Sequence, residues 1–123
     1  MQLPENDETC LKDKGFAWTL HEGPGGGFLV LKDFQVSSEK YDREKTDLMI
    51  RIPQGYNLAQ LDMFYVEPPL RLRETNTYPK AADVFEIHLS RNWQRFSRHL
   101  EKPWRAGIDG LQMFFALILP ELR

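Results

Sequence analysis

Residues 47–70 read DLMIRIPQGYNLAQLDMFYVEPPL, two short apolar runs with a turn between them and a proline pair at the end. Asp47 to Ile52 (DLMIRI) reads as a strand, and Pro53-Gln54-Gly55 after it is a turn sequence. Asp62 to Val66 (DMFYV) reads as the next strand. Pro68 and Pro69 stop it, because proline has no N–H to give to a ladder. Toward the N-terminus, Phe28 to Val36 (FLVLKDFQV) is a strand rich in β-branched and aromatic residues, joined to Asp47 by the charged link Ser37 to Thr46. Residues 16–21 (FAWTLH) read as one more short strand, and residues 4–14 can hold a short helix. The glycine run Gly23 to Gly27 lacks the Lys-Ser/Thr of a phosphate loop and opens no helix, so it reads as a hairpin turn. Short links between such strands predict an antiparallel meander.

At the other end, Leu111, Phe114, Phe115 and Ile118 recur at helical spacing. Asp109 is placed to be the N-cap, with Ile108 before it able to staple onto the first turn. Met113, Ala116, Leu117 and Leu119 make this helix apolar nearly all round, which predicts that it is mostly buried, and Pro120 should end it. Between the two lies Leu70 to Pro103, with one possible strand at Val84 to Leu89 and an otherwise irregular character. The expected class is α+β: an antiparallel meander, an irregular arm and a packed C-terminal helix, forming one domain over residues 1–123 with a polar N-terminal segment at 1–14.

Composition excludes several classes. Of the 123 residues 41% are hydrophobic and 12% aromatic, enough to fill a core and too many for a disordered chain. Sixteen Lys and Arg face eighteen Asp and Glu, so the basic excess of a generic nucleic-acid binder is absent. No apolar run approaches the roughly 20 residues of a membrane span, and the polar start MQLPENDETC has no signal-peptide core. A cytoplasmic protein is expected. Cys10 is the one cysteine, which removes intramolecular disulfides and Cys-rich zinc sites. Its neighbours Glu5, Asp7 and Glu8 disfavour a thiolate, so it reads as a bystander. His21, His88 and His99 have no ligand spacing, and no metal or cofactor is expected. His88, within an alternating apolar run, reads as structural.

The segment richest in chemistry is Arg91 to Arg105, RNWQRFSRHLEKPWR, where five cations oppose one Glu and three large aromatics are interleaved. Such a segment suits single-stranded nucleic acid, or an acidic protein surface met by Arg91, Arg95 and Arg105. The plain structural alternative is a loop whose aromatics pack inward and whose arginines are solvated; Trp104, beside the helix start, reads as such an anchor. Within the segment, Ser97 and His99 share a face if the chain is extended. His99 could then take the proton that keeps serine a weak nucleophile, and Arg98 could favour a developing oxyanion.

The order strand, Gly55-Tyr56-Asn57, strand, Pro68-Pro69, arm, Trp104, apolar helix resembles the ubiquitin-conjugating (UBC) fold from Leu48 onward. GYN, DMFYV, SRH and PWR-x-G-x-D-x-L resemble, more narrowly, the prokaryotic ubiquitin-conjugating-like family E, over roughly residues 15–119. The resemblance implies a transferase of bacterial ubiquitin-like protein conjugation. Its partners would be a ubiquitin-like protein, an activating-enzyme relative and, in the same pathway, a JAB-type peptidase. It makes Tyr56, Pro68, Pro69 and Trp104 structural. It also exposes departures: there is no His-Pro-Asn motif, no cysteine after Cys10, Asn57 stands where proline is usual, and the chain stops at Arg123 where the fold would continue. Counting back from Trp104 puts the catalytic-cysteine position at Phe96 or Ser97, and only Ser97 is chemically competent. Two readings follow: Ser97 carries the partner as an oxyester with His99 as base and Arg98 beside it, or the domain is inactive and only binds. A nucleic-acid module stands behind both.

Overall fold

The computed structural model describes residues 1–123. Glu5–Asp13 forms α1, with Glu5, Asp7 and Glu8 in its first turn, where the helix dipole favours negative charge. Then come Trp18–Gly23 (β1), Gly26–Gln35 (β2), Lys45–Pro53 (β3), Phe64–Glu67 (β4), Val84–His88 (β5), Arg91–Phe96 (β6) and Leu111–Leu122 (α2). The strands make one antiparallel sheet in the order β1-β2-β3-β4-β6-β5. The meander is therefore present, and the arm adds a hairpin to it. After β4 the chain crosses to the free edge as β5 and returns as β6 between β5 and β4.

The glycine run is less of a break than its composition suggests. Gly23 pairs with Gly26, so only Pro24 and Gly25 lie in the turn. Gly26 has a φ of 143°, and a Cβ there would run into the Ile52 carbonyl oxygen of β3. Absence of a side chain is what lets three strands pack at that end. In β2 the register shifts between Leu31 and Phe34, and Asp33, with φ 50°, donates its N–H to Asp47 Oδ1 at 3.0 Å. β4 starts two residues later than the apolar run, because Met63 turns to a φ of 40°.

Alternation sorts the sheet residues onto two faces. Leu29, Leu31, Leu48, Ile50, Ile52, Phe64, Val66 and Phe96 join Leu11 of α1 and Leu111, Phe114, Phe115, Ile118 and Leu122 of α2 in the main core. The opposite face carries Phe28, Val30, Met49, Tyr65 and Trp93. The β5–β6 turn curls back over it. The His88 ring lies 5.4 Å from Phe28 on β2 and 5.5 Å from Tyr65 on β4, and Trp93 Nε1 donates to the His88 carbonyl at 2.9 Å.

Five expectations for the C-terminal half are corrected. Residues 91–96, assigned to an irregular arm, form a strand whose Gln94 is fully buried. That amide accepts from Leu70 N–H at 2.7 Å and donates to the carbonyls of Leu70 and Ala82, so it pins the loop before β5. Asp109 does not cap α2; Gly110 stands at the N-cap and has no side chain to give. Asp7 of α1 supplies the missing acceptor, its Oδ1 taking the Leu111 N–H at 3.0 Å. Ile108 is 70% exposed rather than stapled. Nor is α2 covered all round: Gln112, Ala116 and Pro120 face solvent, and the helix runs on to Leu122. Proline is tolerated in that last turn because the carbonyl it leaves unpaired, on Ala116, sits on the exposed side. No helix is long and apolar enough to cross a membrane.

Candidate functional site

The two residues at the expected nucleophile position part company at the end of β6. Phe96 is fully buried and stacks on Phe64 with ring centroids 4.6 Å apart. Ser97, the next residue, is half-buried, and its N–H holds the Ala81 carbonyl at 3.0 Å. Its hydroxyl oxygen accepts a hydrogen bond from Arg95 Nε at 3.1 Å. Arg95 is in turn fixed by Glu86 across the hairpin, Nη1 to Oε2 at 2.8 Å. The other oxygen of Glu86 meets His88 Nε2 at 2.9 Å and the Tyr65 hydroxyl at 3.4 Å. Strand register explains the assembly: Arg95 pairs with Val84 on one side and Tyr65 on the other, while Glu86 pairs with Trp93.

Burial works to raise the Glu86 carboxyl, but the hydrogen bonds from His88 and Arg95 outweigh it and hold the group below its ordinary range. The Tyr65 hydroxyl is raised, first by burial and then by the Glu86 charge, so it remains a neutral donor. Tyr65 also lines a cleft of about 290 Å³ with Arg51, Asp62 and Met63. Glu86 and Tyr65 carry no sequence signal of this role, because they are brought to Arg95 by the β5–β6 and β4–β6 registers.

His99 is not joined to Ser97. Extended alternation ends with β6 at Phe96, and the His99 ring points outward, with Nδ1 3.8 Å from Asp62 Oδ1. Arg98 is not at the hydroxyl either. It reaches α2, donating Nε to Glu121 Oε1 at 2.7 Å, and that bond raises its affinity for its proton.

The remaining arginines of the basic segment are also met by carboxylates. Arg91 lies between Glu67 and Asp47, with its Nη2 2.9 Å from Asp47 Oδ2. Arg105 donates Nη2 to Asp109 Oδ1 at 2.7 Å and its backbone N–H to the same carboxylate. Arg91 and Arg95 are therefore largely spent within the fold, whereas Arg105 remains mostly exposed. With Trp93 and Phe96 fully buried, the segment offers neither a free charge row nor those rings for base stacking.

Trp104 is partly buried, 6.2 Å from the Tyr56 ring, and donates Nε1 to the Asn57 carbonyl at 2.9 Å. Tyr56 passes the link on, its hydroxyl donating to Asp7 Oδ2 at 2.7 Å. Asn57 earns its place as a hub: its carbonyl also takes the Gly107 N–H, and its Nδ2 donates to the Asp109 carbonyl at 3.1 Å. Pro68 closes β4, and its carbonyl accepts from the Thr46 hydroxyl at 2.6 Å; Pro69 follows, half-buried. The two loops joined at Asn57 expose Leu58 and Ile108, 73% and 70% accessible. Cys10 is buried in α1, and that burial pushes its thiol up, away from thiolate chemistry.

No curated protein and no solved structure matches the chain. A family match does extend over residues 3–123, from the residue before α1 that joins the core to the last residue beyond α2. By that match across essentially its whole length, the chain belongs to the family described as Prokaryotic E2 family E.

Proposed function

We propose that this protein accepts the C-terminus of a ubiquitin-like protein from an activating enzyme, holds it on Ser97 as an oxyester, and passes it to a target. Family membership supports a role in ubiquitin-like conjugation, with ubiquitin-like proteins and activating enzymes as the partner classes. The observation that carries the finer reading is the state of Ser97: a half-buried hydroxyl just beyond a core strand, bonded to a guanidinium that a carboxylate holds in place. The one thiol, Cys10, is buried in α1, which favours an ester over a thioester as the carrier bond. In the transfer, Ser97 Oγ bonds to the acyl carbon, the C–S bond to the activating enzyme breaks, and the serine proton ends on the released thiol. His99, exposed and unbonded to Ser97, is the imidazole available to carry that proton once the partner is seated. Leu58 and Ile108, two bare aliphatic side chains on loops that hydrogen bonds hold together, suit a protein partner rather than a small molecule. A JAB-type peptidase would act later in the same pathway, removing the modifier.

The second reading, an inactive binding domain, draws on the fact that Arg98 and His99 do not converge on Ser97. One experiment separates the two. With a ubiquitin-like protein, an activating enzyme that adenylates it, and ATP, the protein should gain an adduct that survives thiol reductant and is cleaved by hydroxylamine. Ser97→Ala should abolish it. Tight partner binding with no adduct under verified activation would establish the binding-only role.

A further inference from the structure

The bond from Arg95 to Ser97 uses only one side of the guanidinium's chemistry. Nε–H points at Ser97 Oγ, and Nη1 is taken by Glu86. Nη2 has no hydrogen-bond partner in the protein. In a planar guanidinium, Nε–H and one N–H of Nη2 lie parallel along a single edge, the fork that matches two oxygens on one carbon. When a serine oxygen attacks an acyl carbon, the oxyanion stands two bonds from it, Oγ–C–O⁻, the same spacing as Nε–Cζ–Nη2.

We propose that Arg95 is the oxyanion-stabilising residue of this site: Nε–H holds Ser97 Oγ while Nη2–H receives the oxyanion formed on the acyl carbon bonded to it. The proposal deepens the reading of Ser97 as the acyl carrier and rests on it. It moves the cationic role from Arg98, which is held at α2 by Glu121, to a residue already on the hydroxyl. Glu86 and His88 are positioning residues. Glu86 grips Nη1 and so fixes the plane of the fork, and His88 on its other oxygen keeps the carboxylate from rotating away. The His88 ring is itself seated between Phe28 and Tyr65, so the chain of contacts ends in packed aromatics rather than in solvent. Such a donor is preorganised: its orientation cost is met on folding, not at the moment of reaction. Bond making and breaking balance as before: the Oγ–C bond forms, the leaving group departs from carbon, and the serine proton leaves with it.

The test needs no protein partner. The full chain is treated with p-nitrophenyl acetate, and acetyl-Ser97 is followed by mass spectrometry, with Ser97→Ala giving the background. Arg95→Ala should slow acetylation of Ser97 by about 10²- to 10³-fold, the usual loss for one oxyanion donor. Arg95→Lys keeps the charge and the ion pair with Glu86 but has no fork, so it should stay at least about tenfold slow. Millimolar guanidinium should restore rate to Arg95→Ala and leave Arg95→Lys unmoved. Glu86→Gln should fall between wild type and Arg95→Ala. Equal acetylation in wild type and in a folded Arg95→Lys overturns the proposal, as does the absence of acetyl-Ser97 from wild type. Arg95-dependent acetylation without a ubiquitin-like adduct would sink the transfer reading alone and leave the role of Arg95 standing.

Discussion

The two faces of the sheet are held by different physics. One face is a continuous apolar core of 22 buried residues under α1 and α2. The other buries only five, and the β5–β6 hairpin folds over them with a rim of ion pairs: Glu86 with Arg95, and Arg91 with Asp47 and Glu67. Hydrophobic burial is non-directional and proportional to area, so the first face tolerates no hole and needs no exact geometry of charge. The second depends on named donors meeting named acceptors, and it is there that Ser97 sits. Rigidity is thus supplied by one face, and the proposed chemistry is assigned to the other.

The sharpest way to break the comparison is to remove apolar volume from the helix side. Phe114 is 1% exposed in the centre of α2. Phe114→Ala should cost about 3–5 kcal/mol in chemical denaturation, a large share of a small domain's stability. A loss below about 1 kcal/mol would show that α2 is not the lid of the main core. Next in size is Gln94, the one buried polar side chain of β6. Gln94→Ala strips the partners from Leu70 N–H and from the Leu70 and Ala82 carbonyls. It should cost about 2–3 kcal/mol and free the 70–82 loop to exchange its amide hydrogens. Unchanged protection at Leu70 would mean that this amide does not hold the loop.

The first face was legible because its signals are local. The apolar runs at Asp47–Ile52 and Phe28–Val36, proline stops after β4, and the Leu111–Phe115–Ile118 spacing each report on neighbours a few residues away. What hid β6 is that its inward residues include Gln94 and its outward residues include Arg91 and Arg95, so apolar period two is absent. Those side chains become strand-compatible only when a loop carbonyl, Glu86 and Asp47 arrive from elsewhere in the chain. The cap of α2 failed for the same reason: Asp109 has the right chemistry next door, but Arg105 occupies it, and the acceptor comes from Asp7, 104 residues away. Ser97 was singled out by its place relative to Trp104, and Arg95 only as a cation for a partner surface. Glu86 and Tyr65 were not singled out, because cross-strand register has no footprint in a single sequence.

Within the second face, Trp93 offers a gentler probe. Trp93→Phe keeps most of the ring but removes the N–H that holds the His88 carbonyl. A cost of about 1–2 kcal/mol is expected, as for one buried donor and a modest loss of volume, and it should appear as faster exchange in Val84–His88 before any in α2. Uniform loosening of both elements would show that the hairpin is not a separable unit.

The smallest effect is the most diagnostic, because it separates the faces by pH. Asp47 and Glu86 are both held below their ordinary values of 3.8 and 4.5. In each case burial pushes up and is overcome, for Asp47 by the Asp33 N–H and Arg91 with help from Lys32, for Glu86 by His88 and Arg95. A carboxyl depressed on folding means that the unfolded chain binds more protons, so stability rises with pH through this window. The contribution is fully present above the ordinary values and is lost as pH falls through the lower folded ones. Glu86 is partly solvated and Asp47, though buried, is paired with the exposed Lys32 and the partly exposed Arg91, so each should contribute at most about 1 kcal/mol. Hydrogen exchange, corrected for its intrinsic pH dependence, should therefore show β5 and β6 losing protection below about pH 4 while Phe114 and Phe115 in α2 keep theirs. Glu86→Gln should flatten the hairpin's part of that acid transition. If α2 and the hairpin lose protection together at the same pH, in wild type and variant alike, the ion-paired face has no stability of its own, and the division of labour between the faces falls with it.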